Sequence, residues 1–258
     1  MFTGYGNCYR LDALELADEH VQNRQHWTYK TIQHFKETLA DPDFPCLFGR
    51  KAVTARTCHI IFARAGQLAE DIAHGLTDYI RTIEPIPLKQ RIGNPLLVFL
   101  ETATDSTLRQ QQALAWRVLG ELHARDPQPW PQEVPQDPHD SQWSFCFAGM
   151  PLFINMSFPG HQAMRSRNLG RHIAFVINPR ESFDEVASAS TESGQRIRAR
   201  IRERVRVYND GVVPDALGFF GQDGNFEWQQ YQLQEPGSLN PARCPFQARA
   251  TPDTLIEN

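Results

Sequence analysis

Along the first forty residues the apolar positions Leu14, Leu16, Val21, Trp27, Ile32, Phe35 and Leu39 alternate with charged ones at helical intervals. The pattern predicts helix across 11–40, closed by Asp41-Pro42. Cys58 to Ala63 is short and rich in β-branched and aromatic residues and predicts a strand, followed by helix over about 66–83. Leu96 to Leu100 predicts a second strand, and Thr107 to Leu122 a helix capped by Asp105 or Ser106. Trp143 to Phe147 and Leu152 to Met156 flank Ala148-Gly149 as a hairpin, and His172 to Ile177 gives a further strand ended by Asn178-Pro179. In 190–208, Ile197, Ile201, Val205 and Tyr208 make one stripe of a helix, and the arginines from Arg196 to Arg206 are expected to cover its solvated face. Hairpins mixed with helices, without a regular βαβ rhythm, predict an α+β fold: an antiparallel or mixed sheet with packed helices in a single domain over 1–258.

Between these elements, 127–142 is dense in Pro, Asp and Gln, yet Trp130 and Trp143 at its ends mark an ordered loop and not a linker. Its rings form a rigid wall that could also line a flat ligand. Composition narrows the function classes: 258 residues at 41% hydrophobic suffice for a sizeable core, and a net charge of −4 offers no general field for nucleic acid or an anionic membrane. No apolar run approaches the roughly 20 residues that span a bilayer, so a cytoplasmic protein is expected. The five cysteines are odd in number and form no CxxC pair, against both a disulfide framework and a structural zinc site. There is no GxSxG, GxGxxG, HExxH or phosphate-loop pattern.

Two tight bends carry candidate chemistry. In Phe44-Pro45-Cys46-Leu47-Phe48-Gly49-Arg50, a thiol followed by backbone amides and a basic residue can be held as a thiolate, the ligand an oxygen-activating haem iron uses. The plainer alternative is a buried cysteine in a Pro-Gly turn. In Ser157-Phe158-Pro159-Gly160-His161, followed by Arg165-Ser166-Arg167, a strand ends beside a histidine able to ligate iron and arginines able to clamp carboxylates. The plainer alternative there is a solvated turn. Glu227-Trp228-Gln229-Gln230-Tyr231 suits either packing or a polar pocket, and the arginine-rich helix is a weaker candidate for contact with nucleic acid.

Taken in order, the Cys46 turn, Trp130-Pro131 with Asp137-Pro138, Trp143 to Gly149, Arg165-Ser166-Arg167, Asn178-Pro179-Arg180 with Phe183, and Glu227-Trp228 with Gln230-Tyr231 resemble the YqcI/YcgG family over about 25–235. Several members are haem proteins that hydroxylate nitrogen in natural-product pathways, arginine hydroxylases among them. The resemblance implies haem b (iron protoporphyrin IX), O2, an external electron donor and a small guanidine or amine substrate, with no nucleic acid and no membrane; composition leaves a homodimer open. It implies an axial ligand, with Cys46 preferred and His161 the alternative, since the family pattern has a histidine before the proline at Pro159 where this chain has Phe158. Arg165 and Arg167, with Arg50 in reserve, are the expected propionate partners; Glu227 and Asp184 are the candidates for orienting substrate. A haem carrier or sensor without turnover is the competing reading.

Overall fold

The computed structural model describes residues 4–16, 23–103, 105–214, 216–238 and 240–246. Six strands, β1 (Tyr9–Arg10), β2 (His59–Ala63), β3 (Leu96–Leu100), β4 (Phe145–Phe147), β5 (Met150–Ser157) and β6 (Ala174–Pro179), form one sheet in the order β1-β2-β3-β6-β5-β4. The sheet is mixed. β2 and β3 run parallel and every other pair is antiparallel, so the fold is α+β with one βαβ crossover that the sequence rhythm did not reveal. The β4–β5 hairpin turns through Ala148 (φ 49°) and Gly149 (φ 75°), the paired left-handed conformation of a two-residue hairpin.

The nine helices among the described residues are α1 (Leu11–Leu16), α2 (Trp27–Ala40), α3 (Leu47–Thr54), α4 (Leu68–Ile83), α5 (Leu88–Arg91), α6 (Leu108–His123), α7 (Arg180–Val186), α8 (Glu192–Tyr208) and α9 (Glu227–Tyr231). The continuous helix expected over 11–40 is instead α1 and α2, with residues 17–22 outside the described set. His26 caps the second of these, its ring accepting the Thr28 N–H. The cap of α6 is Thr107 and not Asp105 or Ser106: its hydroxyl accepts the Gln110 N–H while Gln110 accepts the Thr107 N–H, a reciprocal capping box. β6 begins two residues later than expected and includes Asn178 and Pro179, with Pro179 at its end leading into α7.

Side chains alternate across the strands and give the sheet two unlike faces. On one, Ile61, Val98, Phe175, Ile177, Ile154 and Met156 pack under α4 and α6 as the larger core. On the other, Ile60, Phe62, Leu97 and Phe99 pack under α1, α2 and α3, chiefly over β2 and β3 with Ala174 of β6 at the edge. Over β5 and β6 that second face presents Phe153, Asn155, Val176 and Asn178, and these lie on the floor of a cleft. No described helix is long and apolar enough to cross a membrane.

Candidate functional site

The cleft encloses about 220 Å³ and opens to solvent on one side. Pro45 to Gly49 form one wall, Phe153, Phe183 and Phe220 give it aromatic surface, and α8 contributes Arg198, Ile201, Arg202 and Val205. Arg167, Arg180 and Glu227 complete the charged lining, and Glu227 is the only carboxylate among the lining residues.

Cys46 is the N-cap of α3, with Sγ accepting the Gly49 N–H at 3.2 Å. Glycine at 49 lets the bend close, since a Cβ there would stand 3.1 Å from that sulfur. The bend is fastened from outside: Arg50 donates to the Leu39 and Pro42 carbonyls, and Arg204 of α8 donates to those of Pro42 (2.7 Å) and Phe44 (2.8 Å). Cys46 is thus accessible through the cleft it lines, although protein surrounds it closely. That enclosure raises the thiol pKa; the Gly49 amide, the Arg167 guanidinium and the Phe48 amide pull the other way without overcoming it. The bend alone therefore favours the thiol over the thiolate that its sequence allows.

Arg167, in the 3-10 turn Arg165–Arg167, is buried at 6% exposure and donates to the main-chain carbonyls of Gln230 and Tyr231. No described carboxylate pairs with it, and burial lowers its pKa to about 10. Arg180 is more fully compensated: Nε lies 2.7 Å from Glu227 Oε2, Nη2 lies 3.0 Å from Asp184 Oδ1, and the guanidinium stacks over Phe220 at 4.2 Å. The Nε–Oε2 contact is an ion pair without an aligned hydrogen bond. Glu227, 1% exposed, also accepts from Ser144 (2.6 Å) and Tyr231 (2.7 Å). Burial raises its pKa, partly offset by Arg180 and the two hydroxyls. With both oxygens engaged it anchors Arg180 and is not free to meet a cationic substrate. Asp184 is likewise committed to Arg180 and, at 3.7 Å, to Arg198.

The arginines of α8 correct the expectation of a solvated face. Arg198 donates to the Ala187 and Gly218 carbonyls and Arg202 to that of Leu217, with both guanidiniums near the Phe219 ring. They hold the 217–220 segment against the cleft. Arg196 and Arg206, by contrast, pair with Glu192 and Glu203 on the outer side.

The second bend is built differently. His161 lines no part of the cleft: its side chain is fully buried, with Nδ1 2.8 Å from Glu235 Oε1. Glu235 also accepts the main-chain N–H groups of Gln162, Ala163 and Met164. Burial pushes the Glu235 pKa up, but those donors and His161 bring it below the ordinary value. Burial also holds the His161 pKa below its ordinary value despite Glu235, which favours the neutral ring, and its Nε2 has no hydrogen-bond partner. Arg165 is half exposed and paired with Asp210 at 3.0 Å, away from the cleft, as is Arg50.

Of the residues singled out by sequence, the cleft therefore brings together Cys46, Arg167 and Glu227, with Asp184 behind Arg180; His161, Arg165 and Arg50 lie elsewhere. Sequence reasoning missed Asn155, Asn178, Arg180, Arg198 and Arg202 as lining residues. Asn155, inside a strand-like run, was an available signal, because carboxamides are disfavoured there.

The YqcI/YcgG family model matches residues 35–247. The chain belongs to the YqcI/YcgG family. It is 42% identical over 228 residues, 86% of this chain and 85% of the relative, to a Streptomyces lavendulae protein named "Putative N(omega)-hydroxy-L-arginine synthase DcsA". It is also 32% identical to the YcgG protein of Bacillus subtilis (strain 168), over 92% of this chain and 94% of that one. The YqcI protein of the same strain is 29% identical over 85% of this chain and 87% of its own length. No solved structure matches.

Among the described residues no group of three or more His, Cys, Asp and Glu side chains could hold a bare metal ion. A porphyrin supplies its own four nitrogens and asks the protein mainly for an axial donor, flat apolar walls and cations for two carboxylates. The cleft offers those in kind: the Cys46 sulfur, the Phe153, Phe183 and Phe220 rings, and Arg167, Arg198 and Arg202.

Proposed function

We infer that this protein is a haem-dependent oxygenase that hydroxylates a guanidine nitrogen of arginine or a close derivative. The observation carrying this reading is that Cys46 opens into a cleft lined by aromatic rings and by guanidiniums with too few carboxylates to balance them. The similarity to a protein named for N(omega)-hydroxy-L-arginine synthesis supports the substrate class. Haem, when bound, supplies the activation of O2, which a thiolate ligand assists by donating electron density. In the balanced reaction one oxygen atom becomes the N-hydroxyl group and the other leaves as water, with two electrons from an external donor and two protons.

This chain's own residues would act by holding and excluding. Cys46 would hold the haem iron through its sulfur, kept in place by the Gly49 amide and by Arg50 and Arg204 behind the bend. Arg167, Arg198 and Arg202 would receive propionates; Arg198 and Arg202 now spend their donors on neutral carbonyls, which a carboxylate can better replace. Leu47, Phe48, Phe153 and Phe220 would keep water from the reacting nitrogen.

The test is an absorption spectrum of protein produced with a haem precursor. A Soret band, a ferrous–CO band in the position of thiolate ligation, and arginine-dependent O2 consumption with a reductant are expected. Colourless protein that takes up no added haem would remove the reading. A coloured protein without arginine-dependent O2 consumption would leave a carrier or sensor.

A further inference from the structure

The floor of the cleft holds two carboxamides whose presence the fold does not explain. Asn155 of β5 faces Val176 of β6, and Phe153 faces Asn178, so the asparagines are diagonal neighbours on one face of an antiparallel pair. The opposite faces of the same strands are wholly apolar, with Ile154, Met156, Phe175 and Ile177 in the core. Asn155 Oδ1 is closed off from solvent and accepts no hydrogen bond. Among the described lining residues it is the one buried polar side-chain atom with neither a hydrogen bond nor an ion pair. Asn178 is 6% exposed and its side chain also makes no hydrogen bond among the described residues.

Leaving a buried amide oxygen unpaired costs about 1–3 kcal/mol, so Asn155 Oδ1, with the Asn178 carboxamide diagonal to it on the cleft floor, suits a ligand that completes its bonding. The charges around them narrow that ligand. The nearby carboxylates are already engaged by Arg180, so a planar N–H group arriving here would meet neutral oxygens and not an acid. We propose that Asn155 and Asn178 are the specificity-determining pair of the cleft, orienting the planar N–H end of a guanidine substrate.

This rests on the guanidine-substrate reading above. It predicts discrimination through hydrogen bonding: a site with unpaired polar groups rejects an analogue lacking the matching donors, whereas an apolar pocket does not.

Calorimetric titration of the purified protein with L-arginine and with L-norleucine, which shares the head group but lacks the N–H donors, gives the ratio of affinities. Wild type should favour arginine by at least about tenfold. Asn155→Leu and Asn178→Leu should each bring the ratio towards one, and Asn155→Asp, which keeps an acceptor, should restore it. Haem content is read from absorbance on the same samples. An unchanged ratio in both leucine variants, or no preference in wild type, overturns the proposal. Colourless protein that still discriminates through Asn155 keeps it and removes the haem reading alone. Circular dichroism of each variant reports folding, and the Asn155→Asp rescue separates recognition from structural loss.

Discussion

The Cys46 bend and the His161 bend look alike as sequence: each ends an element with proline, carries glycine nearby and presents one metal-capable side chain beside arginine. The fold treats them oppositely. At the first bend every fastening falls on the backbone, through Arg50 and Arg204, and the sulfur is left with main-chain amides and an open cleft. At the second, Glu235 grips the ring itself together with three main-chain amides, and the ring lies outside the cleft. The difference teaches that a reactive residue type in a tight turn says little until it is known whether the turn is tied by its backbone or by that side chain.

Replacing each residue is the severest way to break this comparison. Cys46→Ser should weaken haem retention by roughly 100-fold or more and abolish the thiolate-type ferrous–CO band, since loss of a ligand exceeds the effect of removing an outer partner. His161→Ala should leave that band where it was. The reverse pattern in the two spectra would transfer the ligand role to the unpartnered Nε2 of His161. Next in size is Glu227→Gln, which leaves Arg180 on the cleft wall without its buried counter-charge. Breaking such a pair costs about 3–5 kcal/mol, and urea unfolding should show it; a loss below about 1 kcal/mol would mean that Asp184 alone secures Arg180.

The secondary structure was legible where burial repeats with the period of the element. β3 throughout, and β2 after His59, are apolar because both their faces are covered, and α4 carries its buried positions on one stripe. Their parallel pairing was not legible, since a continuous apolar run carries no direction. The site was half legible. Cys46, Arg167 and Glu227 announce themselves by residue type, but Arg198 and Arg202 read as solvated until the 217–220 segment folds back over α8 and offers its carbonyls. Asp184 and Glu227 looked available for a cationic substrate, and only the position of Arg180 reveals that they are committed.

Smaller effects probe the second bend. Glu235→Gln keeps the shape but loses the charge that strengthens its bonds to Gln162, Ala163, Met164 and His161, and should cost about 2 kcal/mol in urea unfolding without moving the haem spectrum. A spectral shift there would tie the second bend to the cleft.

The finest probe is pH. His161 titrates lower in the folded chain than in the unfolded one, chiefly because burial opposes its charged form. The unfolded chain then binds the extra proton as pH falls through about 6.5, so His161 contributes stability that is complete above that pH and declines below it. His59, pushed down to about 4 by burial, and His172, also lowered, add slope in the same direction. The informative quantity is therefore the difference between wild type and His161→Gln, followed by urea unfolding from pH 8 to pH 5. That difference should shrink as pH falls, because the variant lacks a proton to gain. A difference that instead grows as pH falls from 8 would mean the ring is charged in place against Glu235, and the second bend would then be held by an ion pair instead of a neutral ring.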